Sequence, residues 1–310
     1  MLAGLLILLL AAAGRAESFS FAILADPHVP GGDENRQCLQ RAVEWIIANR
    51  EDKKIELVFV LGDIAWGGSD TQRPMADAKA ILDPLNAAGI PYVPVPGDNE
   101  VQSNSIRDFA ETFQPQFERL AGLVENFSKA AGPEGLDLQN FSFDYKGCHF
   151  ICADFLSRQK GHEGNVLHAM EGGTWPWFQQ DIENCPKPKK ENIIILTHIG
   201  LYTTGVPILD RFLFTWNDMK KIKDFLLPYR DNVADNYAGH VHQNWQSVIR
   251  GGPLLAPIYT SWMTDETWFS PPGYDKEITV RWIEVQPEPD QPEPDTDVIT
   301  YRQHLENAHP

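Results

Sequence analysis

The stretch ELVFVLGD, residues 56–63, determines the fold class that the sequence predicts. Its apolar residues run without a polar interruption from Leu57 to Leu61, which is typical of a strand buried on both faces of a parallel sheet. The stretch ends in Gly62 and Asp63, so a carboxylate stands at the carboxyl end of the predicted strand. We therefore expect a parallel sheet with an acidic group at its edge.

Strands and helices alternate on both sides of this stretch. Upstream, FAILAD (21–26) predicts a strand, and residues 35–50 carry apolar side chains at helical spacing. Downstream, residues 71–89 predict a helix that breaks near Pro84, and PYVPV (91–95) predicts a third strand. This βαβαβ order implies a parallel sheet with right-handed crossovers.

The second half of the chain predicts a second sheet. FSFDYKGCHFICADF (141–155) has the pattern of a hairpin that turns at Lys146 and Gly147. Further strands are predicted at 192–198, 233–242, 245–250, 254–261 and 277–285, with helices at 174–184 and 216–229. The predicted fold class is therefore α/β, with two packed mixed β-sheets flanked by helices.

Composition divides the chain into three parts. Residues 1–16 indicate a signal peptide, because the apolar run 2–13 is too short to span a bilayer, which takes about 20 residues, and small residues follow it. An uncleaved hydrophobic anchor is the alternative. Residues 17–286 form the domain that holds the chemistry, and residues 287–310 are predicted to be a disordered acidic, Pro-rich linker and tail. We expect a secreted or periplasmic protein.

The charge of the chain limits its partners. Acids outnumber bases 43 to 26, giving a net charge of −17, and no basic run indicates a nucleic-acid-binding patch. Beyond residue 16 no segment is long and apolar enough for a stable membrane span. An acidic protein that handles an anionic substrate needs local positive charge, which metal ions supply. The oligomeric state is not predicted.

The cysteines have two interpretations. Export would allow them to form disulfides, and otherwise they are small buried residues. They are Cys38, Cys148, Cys152 and Cys185. The sequence leaves both interpretations open.

Five predicted strands end in carboxylate or imidazole side chains. These side chains are Asp26, His28, Asp63, Asp98, His198, His240 and His242. Open α/β sheets place their sites at the carboxyl ends of the strands, so we expect these groups to lie together. Mixed carboxylate and imidazole ligands suit Mn, Fe, Zn or Co. A pair of such ions lowers the pKa of a shared water and clamps phosphoryl oxygens, so the pattern predicts a binuclear hydrolytic centre.

The motifs DPH, GD, GDNE, THIG and GHVH occur in this order. The set resembles the calcineurin-like metallophosphoesterase superfamily, whose pattern is D-x-H, GD, GNH(E/D), H and GHxH, and the resemblance covers about residues 21–285. It implies hydrolysis of a phosphate monoester or diester, a phosphorylated small molecule among them, by a hydroxide that bridges two divalent or mixed-valence ions. Carried over, the ligands are Asp26, His28 and His242 for the first metal, Asp98, His198 and His240 for the second, and Asp63 for both.

Three positions depart from the patterns of this superfamily. Asp98 replaces a neutral Asn ligand, and Asn99 replaces the His that is thought to donate a proton to the ester. Trp66 stands where purple acid phosphatases have a metal-bound Tyr, so the tyrosinate colour should be absent. Asparagine can hydrogen-bond a phosphate oxygen, but it cannot transfer a proton near neutral pH.

The replacement by Asn99 leaves three explanations open. The leaving group needs no proton, or His162 or His168 supplies it, or the protein is a metal-containing binding protein on the same fold with little or no turnover. A non-phosphate metal hydrolase is a further class, but the chain has no H-E-x-x-H motif. The loops 157–173 and 202–216 offer substrate-binding candidates. These are Arg158, His162, His168 and Tyr202.

Overall fold

A computed structural model describes most of the chain. The described residues are 18–29, 33–66, 71–102, 105–158, 164–167, 173–185, 192–247, 258–260, 278–287 and 299–307. The predicted signal peptide lies outside them, so it stays a prediction. Among the described residues, no helix combines the length and apolar character that crossing a membrane requires.

The elements alternate much as the sequence predicts. The strands of the described residues are β1 (Phe19–Leu24), β2 (Ile55–Leu61), β3 (Tyr92–Val95), β4 (Glu125–Ala130), β5 (Asn140–Tyr145), β6 (Cys148–Cys152), β7 (Ile193–Leu196), β8 (Val233–Ala238), β9 (Trp245–Ser247), β10 (Ile258–Thr260), β11 (Thr279–Pro287) and β12 (Ile299–Asn307). The helices are α1 (Asp33–Lys53), α2 (Gln72–Ala87), α3 (Asp98–Gln102), α4 (Ile106–Ala121), α5 (Thr174–Glu183) and α6 (Trp216–Leu226).

The strands form two mixed sheets, which confirms the predicted fold class. The first sheet has the order β12-β11-β1-β2-β3, and the second has the order β4-β5-β6-β7-β8-β10-β9. In the first sheet β1, β2 and β3 run parallel, and β11 pairs antiparallel with both of its neighbours, β1 and β12. In the second sheet β6, β7, β8 and β10 run parallel.

Aromatic side chains join the two sheets. The ring of Phe21 on β1 lies 5.5 Å from the ring of Phe150 on β6 and 5.6 Å from the ring of Tyr237 on β8, in edge contacts. Phe59 on β2 lies 5.1 Å from Phe150 and stacks on Phe143 of β5 at 6.3 Å. These rings are fully buried, and each buries a large apolar area, so they hold the faces of the two sheets together.

A second apolar cluster lies between the second sheet and its helices. Phe178 of α5 and Ile222 of α6 pack with Ile151 and Ile195 from the sheet strands. All four cysteines, Cys38, Cys148, Cys152 and Cys185, are buried, as the second interpretation of the cysteines predicts.

The structure corrects the sequence predictions at three places. Helix α2 continues through Pro84 and ends at Ala87. Helix α4 and strand β4 lie in a region for which the sequence predicted no element. Residues 299–307 form β12, which pairs antiparallel with β11: Ile299 lies opposite Pro287, and Asn307 lies opposite Thr279. The prediction that this part of the tail is disordered is therefore wrong. Residues 288–298 lie outside the described part of the chain.

A buried histidine ties α5 to the second sheet. Nδ1 of His149 lies 2.6 Å from Oδ1 of Asp144, and Nε2 lies 3.0 Å from Oδ2 of Asp181 on α5. The Ser142 hydroxyl donates to the other oxygen of Asp181 at 2.6 Å. Burial disfavours the imidazolium, but the two carboxylates outweigh it and raise the pKa of His149 to about 9. His149 is therefore charged at neutral pH and joins two acids.

This cluster predicts a pH-dependent loss of stability. Because the pKa of His149 is raised from 6.5 to about 9 in the folded protein, its contribution is fully present below pH 6.5 and is lost as the pH rises through 9. The total is on the order of 3 kcal/mol, since one pKa unit corresponds to about 1.4 kcal/mol. Chemical denaturation should show that, from pH 6 to 10, the free energy of unfolding falls more steeply for the native sequence than for His149→Gln. Parallel curves for the two proteins would contradict this assignment.

Candidate metal centre

The carboxyl ends of the parallel strands of both sheets meet at one edge. Asp26 and His28 follow β1, Asp63 follows β2, and Asp98 follows β3 in the first sheet. His198 follows β7, and His240 and His242 follow β8 in the second. The sandwich therefore brings the polar side chains of two sheets to a common site, as the sequence predicts.

Seven side chains at this edge form two groups. The first group is Asp26, His28, Asp63 and His242, and the second is Asp98, His198 and His240. Within each group, one candidate ligand atom per residue lies within 4.8 Å of the others. The groups contain every residue that the sequence predicted as a metal ligand.

The second group converges on one carboxylate oxygen. Oδ1 of Asp98 lies 2.9 Å from Nε2 of His198 and 3.0 Å from Nδ1 of His240. The Nδ1 atom of His198 lies 2.8 Å from the carbonyl oxygen of Leu61. A hydrogen bond there places a proton on Nδ1, so Nε2, which faces Asp98, is the atom that would bind a metal ion after losing its own proton; this is the usual arrangement for a metal-binding histidine.

Asp63 lies between the two groups. Its Oδ2 atom is 3.1 Å from Nε2 of His28 in the first group, and its Oδ1 atom is 3.5 Å from Nε2 of His198 in the second. The backbone N–H of Asn99 donates to Oδ1 at 2.9 Å, which fixes the carboxylate plane. A carboxylate that presents one oxygen to each group has the geometry of a bridging ligand.

The backbone is strained at most of these residues. Asp26, His28, Asp63, His240 and His242 have φ angles of 54°, 49°, 48°, 68° and 50°. Non-glycine residues seldom adopt this left-handed region, and each costs roughly 1–3 kcal/mol that the surrounding structure must offset. Such strain concentrates at functional sites, so this observation supports the site independently of any sequence motif.

Glu100 holds the loops in place, a role that the sequence analysis did not assign. Its Oε2 atom accepts from the N–H of Asp63 at 2.9 Å and of Gly97 at 2.6 Å, and Oε1 accepts from the N–H of Ala65 at 3.1 Å. Glu100 is fully buried. A Cβ atom on Gly97 would lie 2.1 Å from the backbone nitrogen of Asp63, so only glycine fits there. The sequence feature that could have indicated this role is the position of Glu100, two residues after the candidate ligand Asp98.

The site buries carboxylates that a bound cation would stabilise. Burial raises the pKa of Asp26 to about 7, and the charge of Asp63 adds to this effect. Burial also acts on Asp98, but the hydrogen bonds from His198 and His240 hold its pKa well below the usual range. Burial lowers the pKa of His242 to about 2, so this imidazole is neutral, as a metal ligand must be. Bound cations would offset the cost of the buried carboxylates, so the donor set fits two metal ions.

The substrate-binding candidates lie outside these groups or outside the described residues. The Arg158 guanidinium pairs with Asp154, with Nη2 to Oδ2 at 2.6 Å, and with both oxygens of Glu134, so its charge is compensated. Tyr202 is partly buried against both apolar clusters, and burial raises its pKa to about 12. His162 and His168 lie outside the described residues. A role of these four residues in substrate binding stays a prediction.

Comparison with known proteins identifies related folds. The sequence model of the calcineurin-like phosphoesterase family matches residues 19–244. A dimetal phosphatase from Danio rerio is 14% identical, with a TM-score of 0.51 and coverage of 94% of this chain and 99% of that chain. A putative 5′-nucleotidase from Staphylococcus aureus is 12% identical, with a TM-score of 0.54, 94% of this chain and 54% of that chain being covered. At these identities the structures show the fold alone. No curated protein matches the sequence.

The position of Asp63 predicts the result of its removal. Gently purified protein should contain about two transition-metal ions per chain, and Asp63→Ala should lose both, because each ion loses a ligand. Elemental analysis measures this directly. Asp77→Ala is the matched control, since it removes a carboxylate that pairs at 2.8 Å with Arg36 on the helices. Full occupancy in Asp63→Ala would contradict the bridging assignment.

Trp66 predicts the colour of the metal-loaded protein. Its indole offers only an N–H donor and no ligand atom, and it stands three residues after Asp63, where a tyrosinate would be needed. The visible absorption spectrum of protein loaded with iron(III) should therefore contain no tyrosinate charge-transfer band. A purple protein would refute this prediction.

Proposed function

Because the chain belongs to the family of calcineurin-like phosphoesterases, we propose that it hydrolyses phosphate monoesters or diesters with two metal ions at the edge of its sandwich. The family makes the chain a metallophosphoesterase. The observation that carries the proposal is the pair of ligand groups that meet at Asp63.

Each group has a distinct task in this proposal. Asp26, His28 and His242 would hold the first ion, and Asp98, His198 and His240 would hold the second. Asp63, which faces both groups, would bind both ions. When bound, such a pair supplies a nucleophilic hydroxide at neutral pH and stabilises charge on the phosphoryl oxygens. Manganese, iron, zinc and cobalt all suit these donors. The buried carboxylate of Glu100 accepts from the backbone N–H groups of Asp63 and Gly97, and so it holds the loop of Asp63 next to the loop of Asp98.

Asn99 is assigned the contact with the ester. Its backbone N–H donates to Asp63, and the residue is partly exposed and follows Asp98 of the second ligand group. A carboxamide donates a hydrogen bond to a phosphate oxygen, but it has no proton to give to a leaving group. General acid catalysis typically contributes about 10²–10⁴-fold, so the reaction here depends on the stability of the leaving anion.

The charge of Asp98 affects the choice of metal. Asp26, Asp63 and Asp98 together with a hydroxide cancel the formal charge of two divalent ions. A neutral centre attracts a phosphate dianion less than a positive one does. A trivalent–divalent pair would restore one positive charge, so we propose that a mixed-valence pair supports higher turnover than a divalent pair.

The second candidate function is a metal-containing binding protein with little turnover. Asn99 favours it, because the residue that would protonate the leaving group is absent at this position. An assay with p-nitrophenyl phosphate and bis-p-nitrophenyl phosphate in the presence of Mn²⁺ separates the two candidates. Metal-dependent release of nitrophenol that a chelator abolishes supports hydrolysis, and stoichiometric metal without release supports binding.

The Asn99 assignment predicts a strong dependence on the leaving group. The plot of log kcat/KM against leaving-group pKa should be steep for the native sequence, because poor leaving groups receive no proton. Asn99→His should flatten it by helping alkyl esters most, by up to about 10²-fold.

The control for this prediction is the neighbouring ligand. Asp98→Ala should depress aryl and alkyl esters together, since it removes a ligand of the second ion instead of a contact with the ester. Equal slopes for the native sequence and Asn99→His would show that protonation comes from another residue, with His162 and His168 the next to test.

A further inference from the structure

An exposed aromatic side chain lies at the rim of the candidate metal centre. Trp66 is 57% exposed, whereas the residues before it, Ile64 and Ala65, are buried, and so is the ligand His28. Single exposed apolar residues are common on proteins, so exposure alone carries no function. The position and the rigidity of Trp66 make it different.

The backbone holds Trp66 between two ligand-bearing loops. Its N–H donates to the carbonyl oxygen of Val29 at 2.9 Å, and the N–H of Val29 donates to the carbonyl oxygen of Ile64 at 3.0 Å. Val29 and Ala65 also form a parallel β-bridge. The backbone of Trp66 is therefore anchored to the loops of both Asp26–His28 and Asp63. An aromatic side chain on a fixed backbone has only two χ angles to order, so it loses little conformational entropy when it contacts a ligand.

The indole directly contacts a candidate metal ligand. The Trp66 and His28 rings lie 4.9 Å apart, centroid to centroid, at an interplanar angle of 77°. Nε2 of His28 in turn lies 3.1 Å from Oδ2 of Asp63. Trp66 is therefore separated from Asp63 by the single side chain of His28, at the rim of the site where the proposed function puts the phosphoryl group.

The charge of the site adds a reason for such a contact. Asp98 makes the formal charge of a divalent centre neutral, and Arg158 is already paired with Asp154 and Glu134. Attraction between charges thus contributes less to substrate binding than it would at a positive centre. Stacking on an indole provides affinity without charge.

We propose that Trp66 is a stacking platform that selects phosphoesters with a planar aromatic group, either a simple aryl group or a nucleobase. This inference rests on the proposed function, because the metal centre must hold the phosphoryl group beside Trp66. It goes beyond that function by naming the substrate class and the residue that selects it.

Binding of phosphonates tests the proposal without turnover. Benzylphosphonate and cyclohexylmethylphosphonate differ only in whether the ring is aromatic, and neither has a leaving group. Calorimetric titration of the metal-loaded native protein should show tighter binding of the benzyl compound by about two- to tenfold. Trp66→Leu should abolish this preference, and Trp66→Phe should keep part of it. Leu123→Ala is the control, because this apolar side chain is also exposed, at 52%, and follows α4, outside the ligand-bearing loops and the candidate substrate loops.

A second pair of ligands separates the two sources of the aromatic group. Adenosine 5′-monophosphate and ribose 5-phosphate differ by the nucleobase, and KM for each is compared between the native protein and Trp66→Leu. A nucleobase platform predicts that KM rises in the variant for the nucleotide and not for ribose 5-phosphate. If only the benzyl preference depends on Trp66, the platform selects simple aryl groups.

Three outcomes would overturn the proposal, and they have different meanings. If Trp66→Leu keeps the preference for aromatic rings, or if the native protein has none, the platform is wrong and the metal centre is untouched. If Trp66→Leu loses metal by elemental analysis, Trp66 supports His28 and does not bind substrate. If neither phosphonate binds the metal-loaded native protein, the proposed function fails and the platform fails with it.

Discussion

The site depends on one constraint, namely that the carboxylate of Asp63 must face two groups of ligands, each of which is drawn from both sheets. Its oxygens lie 3.1 Å from a nitrogen of His28 and 3.5 Å from a nitrogen of His198. The residue has a left-handed backbone, and its carboxylate accepts from the N–H of Asn99 while its own N–H donates to Glu100. A carboxylate free to rotate would satisfy only one of the two groups, so these bonds to Asp63 are what make a binuclear site possible.

The sandwich gives this constraint its rigidity. His28 and Asp63 come from the first sheet and His198 comes from the second, so their distances are set by how the sheets pack. The rings of Phe21, Phe59 and Phe150 fix that packing, because close-packed aromatic interiors resist sliding. The candidate ligands lie just beyond the ends of the strands, where the regular hydrogen bonding of each sheet has ended. There most of them adopt left-handed φ angles, which orient their side chains towards the site.

Sequence reasoning located the metal ligands because they follow buried strands that local apolar patterns reveal. It missed α4, although Phe109, Phe113 and Phe117 repeat at helical spacing and are buried there. It also missed β12, because a polar strand at the edge of a sheet is defined by its partner β11 and not by its own apolar pattern. The ion pairs of Arg158 were likewise outside its reach, since Glu134 is 24 residues away and only the fold brings the two together.

The most direct test of the central claim is the number and spacing of the metal ions. Crystals grown with Mn²⁺ and measured at the manganese absorption edge locate each ion by its anomalous scattering. The geometry predicts two peaks about 3.5–4 Å apart, with one oxygen of Asp63 bound to each. A single peak, or two peaks that do not share Asp63, would contradict a bridged pair.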